Sequence, residues 1–180
     1  MSSKYHNDSA CVHFLTFSCY NHLWLFKSPE LYREFLRSLD NARNKHHFLV
    51  LGYVLMPNHV HLMLWLPDGI TISNVLRAIK QPFSNRALKL LEKQFPEIHA
   101  KVKITVDGKS IRRFWQAGGG FDRNISDPDQ IRNTIEYMHG NPVRRGLVDK
   151  PTDWRWSSVH CWEDGSDMPL KIDRPDWLMV

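Results

Sequence analysis

Cysteine is scarce in this chain, three in 180 residues, and the scarcity excludes several classes. Cys11, Cys19 and Cys161 are odd in number and lack zinc-like spacing. A disulfide-stapled secreted scaffold is therefore not expected, nor is any chemical role for the three; a reduced, cytoplasmic protein is. Long apolar runs are missing too. The longest, Phe48 to Met56, falls far short of the roughly 20 residues that a bilayer span needs, and the N-terminus carries no signal-peptide pattern. There is no internal repeat and no low-complexity block. Acid is in deficit: 24 Lys and Arg against 19 Asp and Glu give a net charge of +5 and a pI near 9.2. A basic surface favours polyanionic partners, nucleic acid or anionic membrane. What is plentiful is tryptophan, seven residues, in a chain long enough to bury a substantial core.

Along the chain, Val12 to Phe17 is rich in β-formers and reads as a first strand. Ser28-Pro29-Glu30 places an N-cap, a first-position proline and a first-turn acid. Leu31, Phe35, Leu39 and Ala42 then recur at helical spacing to about Lys45. Phe48 to Met56 reads as a second strand, Pro57-Asn58 as a tight turn, and Val60 to Leu66 as a third strand antiparallel to it. Ile72, Leu76, Ile79, Phe83, Ala87 and Leu90 form a second helical stripe, with Pro82 expected to kink or break it. Lys101 to Val106 reads as a short strand ending at the Asp107-Gly108 turn, and residues 112–121 as a basic, aromatic, glycine-rich loop. Asp127 caps a third helix with Gln130 in the capping-box position, ending near Gly140. The expected class is α+β, an antiparallel sheet with helices packed on one face. Residues 8–158 are expected to form one domain and 159–180 a C-terminal tail.

Within this pattern His59-Val60-His61 stands out. Side chains on a strand alternate faces, so His59 and His61 project from one side, roughly 7 Å apart at the backbone. Val60, Leu62 and Leu64 would anchor the other side in a core. Two imidazoles so placed can bind one divalent metal, but a lone His-x-His is weak evidence for it, because buried polar groups usually just find hydrogen-bond partners. On the third helix, Ile131, Ile135 and Met138 make the core stripe. At 100° per residue Tyr137 and Asn141 lie about 40° apart on its flank. By itself that placement also suits a partly buried structural tyrosine.

Four separated motifs together carry a resemblance. Tyr137 to Val148 (Tyr-Met-His-Gly-Asn-Pro-Val-Arg-Arg-Gly-Leu-Val), the His59-Val60-His61 strand, Phe114-Trp115-Gln116 with Phe121 to Ile125, and Asp153 to Ser158 resemble the single-tyrosine HUH transposases, in particular the REP-associated branch, and occur in that family's order. The resemblance implies a ferredoxin-like antiparallel sheet with the histidines on a central strand. It implies that His59 and His61 bind magnesium or manganese, that Asn141 completes the metal site, and that Tyr137 is the nucleophile. Insertion-sequence relatives commonly have glutamine where this chain has Asn141. The implied substrate is single-stranded or hairpin DNA, cut through a 5′-phosphotyrosine that keeps the phosphodiester's energy for rejoining. No membrane partner is implied, and both a monomer and a tyrosine-exchanging homodimer are compatible.

The chemistry suits those residues. One metal offsets phosphate charge and orients the scissile bond, while two histidines and a carboxamide leave coordination positions open. A phenol titrates near pH 10 and needs a nearby cation or base to become a nucleophile. Arg112, Arg113 and Trp115 pair charge with an aromatic, as single-strand binding requires. Arg123, Arg144 and Arg145 adjoin the site motifs and suit phosphate contacts. Arg77, Lys80 and Arg86 recur at helical spacing along the second helix and could follow a DNA backbone; Lys89 and Lys93 there suit a solvated face. Trp154 and Trp156 suit packing of the tail. A histidine-triad hydrolase is excluded because Met63 stands where its nucleophile would be, and a cupin because the chain has too much helix. The rival is a hairpin-DNA-binding protein of the same fold that does not transpose.

Overall fold

The computed structural model describes residues 12–163 and 170–179, so Cys11 and the start of the expected domain lie outside the described residues. Strands β1 (Val12–Ser18), β2 (Leu49–Leu55), β3 (His59–Trp65) and β6 (Phe121–Ile125) form one sheet, every neighbour antiparallel, in the order β2-β3-β1-β6. Helix α1 (Pro29–His46) joins β1 to β2, and α2 (Ile72–Gln94) follows β3. With a short helix α3 (Pro96–Lys101) and a separate hairpin of β4 (Lys103–Val106) and β5 (Lys109–Arg112) inserted before β6, the order is that of the expected ferredoxin-like sheet. Helices α4 (Pro128–His139), α5 (Asn141–Arg144), α6 (Val159–Glu163) and α7 (Asp176–Met179) complete the described chain. Among the described residues no helix is long and apolar enough to cross a membrane.

The helices do not all lie on one face. Leu15, Phe17, Val60, Leu62 and Leu64 point toward α1 and α2 and share a core with Phe35 and Phe83. Val12, Phe14, Val54, Met63 and Ile125 point the other way, where Ile131, Ile135 and Met138 of α4 cover them. The central strands are apolar on both sides because both sides are covered, which is why β2 reads as an almost unbroken hydrophobic run. A bulge between Val50 and Gly52 interrupts the β2–β3 register. Gly52 brings α4 close: a Cβ there would stand 2.7 Å from Met138 Cε.

The free edge of β2 is closed by the C-terminal segment. Leu55 N donates to Trp156 O at 2.9 Å, Ser158 N to Tyr53 O at 2.9 Å and Asp173 N to Val50 O at 2.8 Å. Pairing an edge in this way removes a template for aggregation. Trp156 stacks on Tyr32 of α1 with ring centroids 4.6 Å apart, the packing role expected of it. Helix α2 continues through Pro82, so the expected break does not occur there. Pro82 sits on the exposed side, while Ile79, Phe83 and Ala87 are buried and hold both halves to one core.

Candidate active site

Strand β3 turns His59 and His61 to the α4 side of the sheet. Their rings are perpendicular, and the two Nε2 atoms lie 3.0 Å apart. His59 Nδ1 lies 2.6 Å from Asn58 Oδ1. A carboxamide oxygen only accepts, so Nδ1 carries the proton and Nε2 presents its lone pair toward His61. His61 Nδ1 is 2.8 Å from Thr16 Oγ1 on the neighbouring strand, and the ring of Phe14 stacks on it with centroids 5.7 Å apart. Burial, then the charge of Arg145 and of His22, brings His59 down to about 4. Burial, then His59, Arg144 and Arg145, brings His61 down to about 3. Both imidazoles are neutral at physiological pH, the state that ligates metal.

This donor set fits a divalent ion. Two imidazole–metal bonds of about 2.1 Å at a right angle put their nitrogens about 3 Å apart, the Nε2 separation found here. The oxygen partners on both Nδ1 atoms are outer contacts that orient the rings, and the Asn58 carboxamide also fixes the His59 tautomer. Among the described residues no group of three or more His, Cys, Asp or Glu gathers around one point.

Helix α4 supplies the tyrosine. Asp127 Oδ1 accepts from Gln130 N at 2.8 Å, the expected cap. The Gln130 side chain does not close a capping box; its Oε1 accepts from Arg123 instead. With Ile131, Ile135 and Met138 buried, Tyr137 is left 55% exposed, on the flank the periodicity predicts. Arg144 on α5 lies over its ring at 4.2 Å and donates to its carbonyl oxygen. Gly140 leaves room for this clamp, since a Cβ would stand 2.6 Å from Arg144 Nη1. Asn141 is buried, with Nδ2 3.5 Å from Tyr137 O. Tyr137 lines a cleft of about 460 Å³ together with Phe14, Phe121, Arg123 and Gln130. Phe14 thus touches both His61 and the tyrosine cleft.

The residues singled out from sequence fall into two groups. On the α4 side, Arg144 and Arg145 act on His61, Tyr137 and Arg123 line the cleft whose Phe14 stacks on that imidazole, and Asn141 contacts the Tyr137 carbonyl. Arg112 and Arg113 line a different cleft, against α2. Trp115 corrects an expectation: the residue is only 7% exposed and its ring packs edge-on against Phe17 and tilted against Phe83, so it belongs to the core and is not a free stacking surface. Thr16, Asn58, Phe14 and the half-exposed Phe121 went unread. Strand alternation could have found Thr16 and Phe14, which share the His61 side of β1.

Comparison with known proteins identifies the family and the fold. The family model described as "Transposase IS200 like" matches residues 7–119, which include both histidines and end before Tyr137. A Haemophilus influenzae protein provisionally named a REP-associated tyrosine transposase is 26% identical over 144 residues, 80% of this chain and 74% of that one. An Escherichia coli K12 protein named REP-associated tyrosine transposase is 26% identical over 129 residues, 72% of this chain and 65% of that one. The solved structure of a REP-associated tyrosine transposase bound to a REP hairpin has the same fold, with a TM-score of 0.66 over 98% of this chain and 93% of that one at 20% identity.

Proposed function

The chain belongs to the IS200-like transposase family, enzymes that nick and rejoin DNA, and on that premise we propose that it cuts and rejoins single-stranded DNA at hairpin-bearing, REP-like sites through Tyr137. The observation that carries this reading is the convergence of two neutral Nε2 atoms, 3.0 Å apart, on the face of the sheet that holds the tyrosine cleft. The names of the two relatives and the REP hairpin of the solved neighbour support the substrate class.

In this reading His59 and His61, with the carboxamide oxygen of Asn141, hold magnesium or manganese. Bound there, the ion offsets the phosphate's charge and polarises the scissile bond. Tyr137 Oη attacks phosphorus as the phenolate, its proton leaving to solvent. A P–Oη bond forms as the P–O3′ bond breaks, and the departing 3′-oxygen takes up a proton. The product is a 5′-phosphotyrosine with a free 3′-hydroxyl; attack by a 3′-hydroxyl in the reverse sense reseals a strand and frees Tyr137. Arg144 keeps the ring from swinging off line, and Arg123 and Arg145 contact phosphates. Asn58 holds His59 in the ligating tautomer, and Thr16 orients the His61 ring.

The test incubates labelled single-stranded hairpin DNA with the protein and magnesium or manganese. A denaturation-resistant adduct is expected, lost in Tyr137→Phe and in His59→Ala, with hairpin binding retained in both. Binding with no adduct across a panel of REP-like hairpins would identify a non-transposing binder. An adduct that survives Tyr137→Phe would place the nucleophile elsewhere.

A further inference from the structure

The α2 face carries a second cleft, which no role in the cleavage reaction accounts for. It measures about 540 Å³ and is lined by Arg77, Lys80, Gln81 and Asn85 of α2, by Arg112 and Arg113 after the β4–β5 hairpin, and by Gly118 and Gly119. No carboxylate lines it, and none of its four cations pairs with one among the described residues. Lys80 has aromatic rings for company: its Nζ lies 5.0 Å over Phe17 and 5.7 Å over Trp115. A neighbouring cleft of about 460 Å³ between α1 and α2 shares Arg77 and Gln81 and continues the basic track. Four cations lacking local acids, flanked by amides, form a surface for a polyanion.

A short stretch of backbone links this cleft to the tyrosine. Gly118 and Gly119 line it, and Phe121, two residues on, lines the Tyr137 cleft on the opposite face. Gly120 between them cannot carry a side chain: its φ is +87°, and a Cβ would stand 2.2 Å from Thr16 O. From Gly118 to Phe121 the extended chain covers at most about 10 Å, the length of about three nucleotides of a stacked strand. At its end Phe121 is 54% exposed and edge-on to Phe14, an aromatic face open to a base.

We propose that the α2 cleft binds the phosphate backbone of the DNA flanking the scissile phosphate, and that the strand crosses the glycine ribbon Gly118-Gly119-Gly120 to reach Tyr137, stacking a base on Phe121. The substrate class rests on the strand-cleavage reading; the contact surface rests on the cleft itself. Burial holds Lys80 down to about 8, and a phosphate supplies the counter-charge that this site otherwise lacks.

Binding without cleavage tests it. Fluorescein-labelled oligo(dT) of about 25 nucleotides, long enough to span two sites of ordinary size, is titrated by anisotropy in EDTA over a range of salt. Arg77→Ala/Arg112→Ala should weaken binding roughly tenfold and flatten the log–log salt slope by about 1.4, two contacts at about 0.7 each. Phe121→Ala should weaken binding several-fold at unchanged slope, because stacking carries no counterion. All three substituted side chains are exposed, and melting curves check that the variants fold. Wild-type slope and affinity in the arginine variant, or no binding of oligo(dT) by the parent, would overturn the cleft assignment. An unaffected Phe121→Ala would overturn the crossing. An adduct at Tyr137 with silent arginines would sink this proposal alone; a flattened slope with no adduct would leave it standing and sink the cleavage reading.

Discussion

The two faces of the sheet differ in what they bury. Toward α1 and α2 the strands present Leu15, Phe17, Val60, Leu62 and Leu64, met by a tight set of aromatic rings in which Phe26, Phe35, Phe83, Phe114 and Trp115 touch one another. Toward α4 the apolar cluster is smaller and gives way to polar groups: His61 beside Thr16, Arg123 beside Gln130, and Tyr137 and Phe121 open to solvent. One face supplies cohesion. The other gives up packing to hold neutral imidazoles and an accessible phenol. Because neighbouring residues on β3 serve opposite faces, stability and chemistry can be separated by one step along the chain.

Substituting adjacent residues probes that division most strongly. Leu62→Ala, in the fully buried aromatic side, should cost about 2–5 kcal/mol of stability. His61→Ala should cost nearer 1 kcal/mol, the scale of a lost hydrogen bond, yet abolish the DNA adduct. Urea melts and adduct gels on the two variants give the comparison, and equal stability losses would erase the distinction between the faces.

Acid should act through the α4 face. His139 is buried there against Ser158 Oγ at 3.0 Å, and burial holds it down to about 4. The unfolded chain, with histidine near 6.5, binds the proton first. His139 therefore contributes its full stability above about pH 6.5 and loses it as the pH falls toward 4, at up to about 1.4 kcal/mol per pH unit. His59 and His61 are shifted the same way. Denaturant melts at pH 7 and pH 5 should show the loss, and His139→Gln should reduce it.

Smaller still is the effect of the oxygen behind His61. Thr16→Val keeps the shape and removes the hydroxyl, and should weaken manganese binding by about 10–100-fold while DNA binding in EDTA is unchanged. Calorimetric titration with manganese reads this directly, and wild-type affinity would remove Thr16 from the site.

Much of this division could be read in advance. The alternation in β3 separated the histidines from Val60, Leu62 and Leu64, and Asp127 with the Ile131, Ile135 and Met138 stripe turned Tyr137 outward. The side on which α4 packs was missed, although the near-continuous apolar run of β2 already required cover on both faces. Strand β6 was hidden because it is an edge strand, with Arg123 and Asn124 in its middle, preceded by three glycines that read as loop. Strand β5 is exposed at every residue, so it has no apolar alternation to detect. Trp115 misled because Arg112 and Arg113 are its neighbours in sequence, while an isolated backbone bridge to Cys19 sets it beside the core, where its ring packs on Phe17.

The most direct test of the division is to find which residue DNA becomes joined to. Mass spectrometry of the proteolysed adduct, formed with a REP-like hairpin and manganese, should find the nucleotide on the peptide that contains Tyr137, linked through a 5′-phosphate. Attachment at a residue on the α1–α2 side, such as Tyr20 or Tyr32, would contradict the account, as would a nucleotide linked through its 3′-phosphate.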